Sequence, residues 1–392
     1  MTTVSESAGR ALEAWVLRDR PSASYEFPHR AVVGAVRAHG INRLPHALND
    51  LLVHTWEQAR KRDPEPGGAE WVTTLWLECL TSRARGAPSY GTYTMTTLLE
   101  RWCRLGDLPD RLTRISALLA ADMIRHELRR GLREGDDGRR RSLLVAATRF
   151  ARGLTPAPGW TGARDDVSPE SPPEAVRRCN RLLSDDGAGL PPTLALLVEG
   201  TVPVATLEPD EPLFLRSVQV MELLAVLAAE YAAAAHEAAL ASEPDPHALE
   251  VSLAGITDAL AHARRCFRLV ALIDPGQFAT IRAATAGTGA LQSEGFARLE
   301  RRCRGTAGVR AETVGAVGLD AVPAPAPSLG DTLRAAPPDE RRRRGVEAVN
   351  EQWARWKHTH YGVAKRIIGD VPGTGGTDGV RYLARHLKEP LL

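Results

Sequence analysis

Lysine is nearly missing from this 392-residue chain. Lys61, Lys357, Lys365 and Lys388 are the only four, so 50 Lys+Arg leave 46 arginines. With abundant Ala, Gly and Pro, that surplus reads as the codon bias of a GC-rich genome. Charge of one sign is lacking too: 48 Asp+Glu leave a net charge of +2, which predicts neither a nucleic-acid nor a membrane partner. Cysteine is scarce and never forms C-x-x-C; five residues, an odd number, argue against a disulfide framework or a zinc ribbon and fit a reducing cytosol. Met1 to Trp15 has no apolar signal core. The most apolar window, Val220 to Ala235, is interrupted by Glu222 and Glu230, so no bilayer-spanning segment is expected. These absences predict a cytoplasmic globular protein, long enough for one large or two ordinary domains. Aromatics are few (8 Trp, 6 Tyr, 6 Phe), which makes any local cluster of them informative.

What is present is helical periodicity. Apolar residues return at three- and four-residue spacing over Leu51 to Lys61, Trp71 to Arg83, Leu108 to Arg130, Pro212 to Leu240, Leu249 to Leu272 and Val346 to Ile368. No alternating β-branched run and no Asn-Gly hairpin signal occurs, so the expected fold class is all-α, a helical bundle. Leu154 to Pro173 and Ala321 to Pro338 are rich in proline and are expected to be extended loops or linkers. Arg341 to Arg344 follow Asp339-Glu340 at a helix start and read as a solvated face. Asp122 and His126, four apart on one helix, have a spacing that can bind metal, as do His54/Glu57 and His236/Glu237; such pairs are more often structural or surface groups.

The chemistry concentrates in Trp353-Ala-Arg-Trp-Lys-His-Thr-His-Tyr-Gly-Val-Ala-Lys-Arg-Ile-Ile-Gly369. On a helix, His360 shares a face with Trp356 and Trp353, one and two turns before it, and with Val363, Ala364 and Ile367. His358 is rotated away by about 160°, at about 100° per residue, toward Lys365 and solvent. A histidine on an apolar stripe is commonly a core residue satisfied by a carbonyl; it is also what a haem iron needs as an axial ligand. Gly373-Thr374-Gly375-Gly376-Thr377 follows. It lacks the Lys-Ser/Thr of a phosphate loop and any preceding strand, and instead offers free N–H groups and close approach to a ligand.

Together, Trp-x-x-x-His-x-x-x-x-x-Arg-x-x-Gly, the Gly-Thr-Gly-Gly-Thr turn and Gly379-Val-Arg-Tyr-Leu383 resemble the C-terminal signature of tryptophan 2,3-dioxygenase. More broadly, they resemble the haem-dependent aromatic oxygenase superfamily. Three upstream blocks extend the resemblance in order. Ser89-Tyr-Gly-Thr-Tyr-Thr-Met-Thr-Thr-Leu-Leu99 is similar to a Tyr-Gly-Ser-Tyr-Leu segment that lines the distal pocket. Asp210-Glu-Pro-Leu-Phe-Leu-Arg-Ser-Val-Gln-Val-Met-Glu-Leu223 is similar to Asp-Glu-x-Leu-Phe-x-x-x-His-Gln-x-x-Glu-Leu. Ala290-Leu-Gln-Ser-Glu-Gly-Phe-Ala-Arg-Leu-Glu300 is similar to Gly-Phe-Gln-Ser-x-Gln-Tyr-Arg-x-Ile-Glu.

The resemblance implies an enzyme with haem b, O2 as co-substrate and His360 as the proximal iron ligand, with Trp353 and Trp356 on the haem wall. Ala364 stands where a covalent-haem relative has cysteine, so the haem would be held noncovalently. Thr374, between Gly373 and Gly375, would contact the amino-acid end of the substrate, and Tyr90, Tyr93 and Phe214 would line its pocket. Residues 1–87 have no counterpart and would form a helical N-terminal extension to an oxygenase-like domain over 88–392. An insertion would occupy about 100–209, and a Pro-rich linker 321–338. A homodimer or homotetramer is implied in the same way. Two positions depart from the pattern. Val218 stands in place of a distal histidine and Ala297 in place of a carboxylate-clamping arginine; Arg298 is adjacent but turned by about 100°. An arginine–carboxylate bond contributes on the order of 1.5–3 kcal/mol. The expected substrate is therefore an aromatic small molecule other than plain L-tryptophan, in secondary metabolism. A haem protein that binds or senses without turnover is the alternative.

Overall fold

The computed structural model describes residues 3–16, 27–134, 138–155, 159–160, 168–184, 189–241, 245–285, 292–305, 325–373 and 377–392. Among them are seventeen α-helices and no strand, so the fold is all-α. The helices are α1 (Val4–Val16), α2 (His29–His39), α3 (His46–Lys61), α4 (Ala69–Thr81), α5 (Tyr90–Tyr93), α6 (Thr96–Cys103), α7 (Leu108–Glu134), α8 (Gly138–Ala151) and α9 (Pro172–Leu182). They continue with α10 (Pro192–Glu199), α11 (Glu211–Leu240), α12 (Pro246–Val270), α13 (Pro275–Ala284), α14 (Glu294–Arg304), α15 (Leu329–Ala335), α16 (Glu340–Ile367) and α17 (Val380–Arg385).

The long helices match the expected spans to within a few residues, because side-chain periodicity and caps act locally. Asp245 caps α12 through the His247 and Ala248 N–H groups, Asp339 caps α16 through that of Arg342, and Ser293 caps α14 through that of Phe296. α11 is the axis of the bundle. It packs most extensively on α12 and is flanked by α7 and α14; α16 covers the far side of α12. One continuous apolar core runs from Ala8 in α1 to Leu391.

Three expectations change. An 18-residue window of α11 is long and apolar enough to cross a membrane despite Glu222 and Glu230, but 89% of it is buried by the neighbouring helices. Pro172 and Pro173 do not lie in a loop but begin α9, where the first turn leaves its N–H groups unbonded and tolerates proline. The 321–338 stretch is not extended throughout. From residue 325 it contains α15, closed by a capping box between Ser328 and Asp331 and anchored by buried Leu329 and Leu333; residues 321–324 lie outside the described residues.

A buried polar network ties the bundle axis to the segment entering the site. Arg216 on α11 donates to Asp122 of α7 at 2.9 and 3.1 Å and to Gln219 and Thr201 at 2.7 Å each. Gln219 Nε2 donates in turn to the carbonyls of Thr94, at 2.8 Å, and Thr201. Burial pushes the Asp122 carboxyl up, but Arg216 and Arg125 overcome this and hold it below the ordinary range. Asp122 is thus committed to arginines, and no group of three or more potential metal ligands occurs among the described residues. His236 bonds Thr332, and His54 and Glu57 are exposed.

Candidate functional site

α16 builds one wall of the site. Its buried positions Val349, Trp353, Trp356, Val363, Ala364 and Ile367 recur at helical spacing and face α12. His360 falls within this stripe, half-buried, while His358 is exposed with its ring nitrogen 2.8 Å from the Ala354 carbonyl. The His360 ring lies 5.7 Å from that of Trp356 and meets Phe267 of α12 edge-on at 5.1 Å. Trp356 is stacked in turn on Phe296 of α14, with centroids 4.8 Å apart and planes within 4°. Three helices therefore fix the orientation of one imidazole.

This aromatic group borders a cavity of about 290 Å³. Tyr90, Tyr93, Phe214, Val218, Ala297, Trp353, Trp356, His360 and Gly373, all singled out from sequence, line it together. Arg298 does not. It points into a neighbouring chamber, where it pairs with Glu100 and, at 2.7 Å, with Glu294. The single-residue rotation between 297 and 298 is enough to put the two side chains in different compartments. Thr374 and Gly375 lie outside the described residues. On either side of them, the Gly373 N–H donates to the Thr377 carbonyl at 2.8 Å, and Gly379 sits at φ +62° where a Cβ would meet the Val371 carbonyl at 2.6 Å. That turn closes only with glycine at 379.

Sequence reasoning missed several lining groups. Phe267, Phe278 and Arg282 come from α12 and α13, which carry no motif; scarcity of aromatics was the one signal available for the two phenylalanines. Phe278 meets Phe214 edge-on at 5.4 Å, extending the aromatic wall. Glu222 was legible as an interruption in an apolar run and as the matching glutamate of the Asp210–Leu223 block, with no role attached to it. It is 5% exposed, accepts from Ser293 Oγ and from the Gly295 N–H at 2.5 Å each, and lines the cavity. Burial, with Glu100 and Glu294 nearby, outweighs these bonds and pushes its carboxyl up to about 7.

Tyr93 donates to buried Glu211 at 3.0 Å; the same carboxylate accepts from the N–H groups of Ala205 at 2.6 Å and Thr206 at 2.7 Å. Burial and the Glu211 charge push the Tyr93 phenol well above its ordinary range, and burial with Glu222 does the same to Tyr90. Both phenols are thus neutral donors at neutral pH.

A haem-sized group can be tested against these residues. The α16 wall offers the His360 imidazole on an apolar, aromatic stripe; the other lining imidazole, His386, is held 2.7 Å from the Glu389 carboxylate. Trp353 leaves its buried Nε1–H without an acceptor in the protein, and the cations Lys357 and Arg282 also line the cavity. A planar apolar ring with acidic edges suits that set of groups.

The chain shares a stretch of sequence with a known enzyme. Over 40 residues it is 61% identical to tryptophan 2,3-dioxygenase of Caulobacter vibrioides. That stretch is 10% of this chain and spans only 15% of the relative. It supports a dioxygenase-like relationship. No family model matches the chain.

Proposed function

We propose that the protein is a haem-dependent oxygenase acting on a modified tryptophan or another aromatic amino acid, rather than plain L-tryptophan, in secondary metabolism. The observation that carries this is His360, held between Trp356 and Phe267 on the wall of a cavity that also gathers Tyr90, Tyr93, Phe214 and Val218. His360 would hold the iron of a noncovalent haem b, with Ala364 below it on the same face. Bound haem would supply O2 activation, chemistry that no side chain provides.

The chain's own residues perform the other tasks. Trp356 and Phe267 keep the imidazole from rotating. The Trp353 Nε1–H would receive an acidic edge of the cofactor or substrate, while Lys357, bonded to the carbonyls of His386 and Glu389, and Arg282, bonded to that of Pro372, add positive charge to the cavity wall. Phe214, Phe278 and Val218 form a dry wall against which an aromatic ring is oriented and water excluded. Val218 offers no hydrogen bond to an indole N–H and leaves room for a substituent. Ala297, 2% exposed, gives a carboxylate no clamp. Those two positions also favour a second reading, a haem protein that binds an aromatic ligand without turnover.

Purified protein reconstituted with haem should show a Soret band, and aromatic compounds that fit the cavity should perturb it. His360→Ala should abolish the band while leaving the far-ultraviolet helical signal intact. A variant that binds haem as well as the natural protein would overturn the assignment. Incorporation of labelled oxygen into an aromatic compound would separate the enzyme from the binder.

A further inference from the structure

A second chamber of about 330 Å³ lies against the first, and the two share Tyr90 and Glu222 as their common wall. Its lining is polar: Thr96 and Thr97 contribute hydroxyls, and the charged groups Glu100, Arg104, Glu294 and Arg298 interleave. Glu222 is the one ionisable carboxyl that borders both compartments among the described residues.

Local structure holds it there for a reason other than packing. Gly295, at the start of α14, comes so close to α11 that a Cβ would meet the Glu222 carbonyl at 2.8 Å and its Oε1 at 3.1 Å. The approach brings the Gly295 N–H to one carboxyl oxygen and the Ser293 hydroxyl to the other. A serine hydroxyl accepts as readily as it donates, so the same site accommodates the carboxylate and the carboxylic acid.

We propose that Glu222 is a proton carrier between the polar chamber and the apolar cavity. In one direction its Oε–H bond breaks as the proton passes to a polar atom of a ligand in the cavity. The carboxylate left behind then takes a proton from water in the polar chamber. The reverse path removes a proton from the ligand; no oxidant or further reactant is consumed. The titratable and charged groups around it are Tyr90 and Tyr93 from α5, Glu100, Arg101 and Arg104 from α6, Glu294 and Arg298 from α14, and Tyr382 from α17. On the cavity side, α14 and α16 add Glu300, Lys357 and His360, and α13 and the C-terminal segment add Arg282 and His386, whereas α12 presents only Phe267 and Val270. An acid with a value near 7 can both give and take a proton at neutral pH. This inference concerns the cavity wall and does not depend on which cofactor the cavity holds.

The test titrates the carboxyl directly. Infrared difference spectra of the natural protein against E222Q, from about pH 5 to pH 9, should show one protonated carboxyl lost with a midpoint near neutrality. Indole, used as an aromatic probe of the cavity, should raise that midpoint by excluding water. Its affinity should fall by about threefold to tenfold between about pH 6 and pH 8 in the natural protein, and stay flat in E222Q. E222D should restore the dependence. R298A, acting from the polar side, should raise the midpoint without changing indole affinity at about pH 5, because the acid is already protonated there. Equal thermal stability of E222Q and the natural protein at about pH 5 shows that the fold is unchanged. A midpoint in the ordinary glutamate range, a midpoint blind to either indole or R298A, or a pH dependence that persists in E222Q would each overturn the proposal. Loss of the Soret band in His360→Ala is read separately, so the two ideas fail independently.

Discussion

Two chambers meet at Glu222 and Tyr90, and the side chains that line them differ in kind. One is walled by Phe214, Phe267, Phe296, Trp353 and Trp356; the other by threonines, glutamates and arginines. Their walls are built in part from the same elements, α5, α11 and α14. The difference therefore resides in which face of a shared helix each side chain occupies. Ala297 and Arg298, adjacent in sequence, show how sharply one step along α14 divides them.

The comparison breaks most forcefully if a charge is exchanged between compartments. Val218→Lys should cost at least about 3 kcal/mol, because an ammonium among the cavity's aromatic side chains is desolvated and its nearest acids, Glu222 and Glu300, are themselves buried. Thr97→Lys, in the polar chamber, should cost under about 1 kcal/mol. Urea unfolding of both variants checks the contrast; equal losses would mean that the chambers do not differ in dielectric character. Next in size, Trp356→Ala removes the ring stacked between Phe296 and His360 and should cost about 3–5 kcal/mol by the same measurement.

The third effect depends on pH. The Glu222 value lies above the ordinary 4.5, at about 7, because of burial first, with nearby carboxylates adding to it. The folded protein then holds this proton more tightly than the unfolded chain. The associated stability is complete below 4.5 and is lost as pH rises to about 7, a change on the order of 3 kcal/mol. E222Q should remove that downward slope. Asp122 acts with the opposite sign: its lowered value gives stability above the ordinary aspartate range that is lost on acidification. Denaturation midpoints followed across pH distinguish the two limbs. Within the polar chamber itself, Arg298→Ala should cost about 1–2 kcal/mol, since Glu100 keeps Arg104 at 2.5 Å while Glu294 loses its 2.7 Å partner.

The α16 stripe was legible because its residues lie within seven positions of one another. The 3.6-residue period places Trp353, Trp356 and His360 on one face and sends His358 to solvent, and the structure shows both. The common place of Val218, Ala297 and Tyr90 on one cavity wall was legible only through resemblance. Phe267 and Phe278 stood out only as members of a scarce residue type, since nothing in their own helices marks which face meets α16 or α11. Glu222 stood in the sequence as an acid in an apolar run and as one matched residue of the Asp210–Leu223 block, but without a role; α14 supplies the donors that let it be buried.

Local sequence alone determined the helices, their caps and the stripe carrying His360, because backbone hydrogen bonds and side-chain period act over three or four residues. The partition into a dry and a polar chamber was decided only by tertiary structure. Glu222 and Ser293 are 71 positions apart, and their contact exists only once α14 is seated on α11. Burial and partner together set the charge of a carboxyl, and neither is written in the residues beside it.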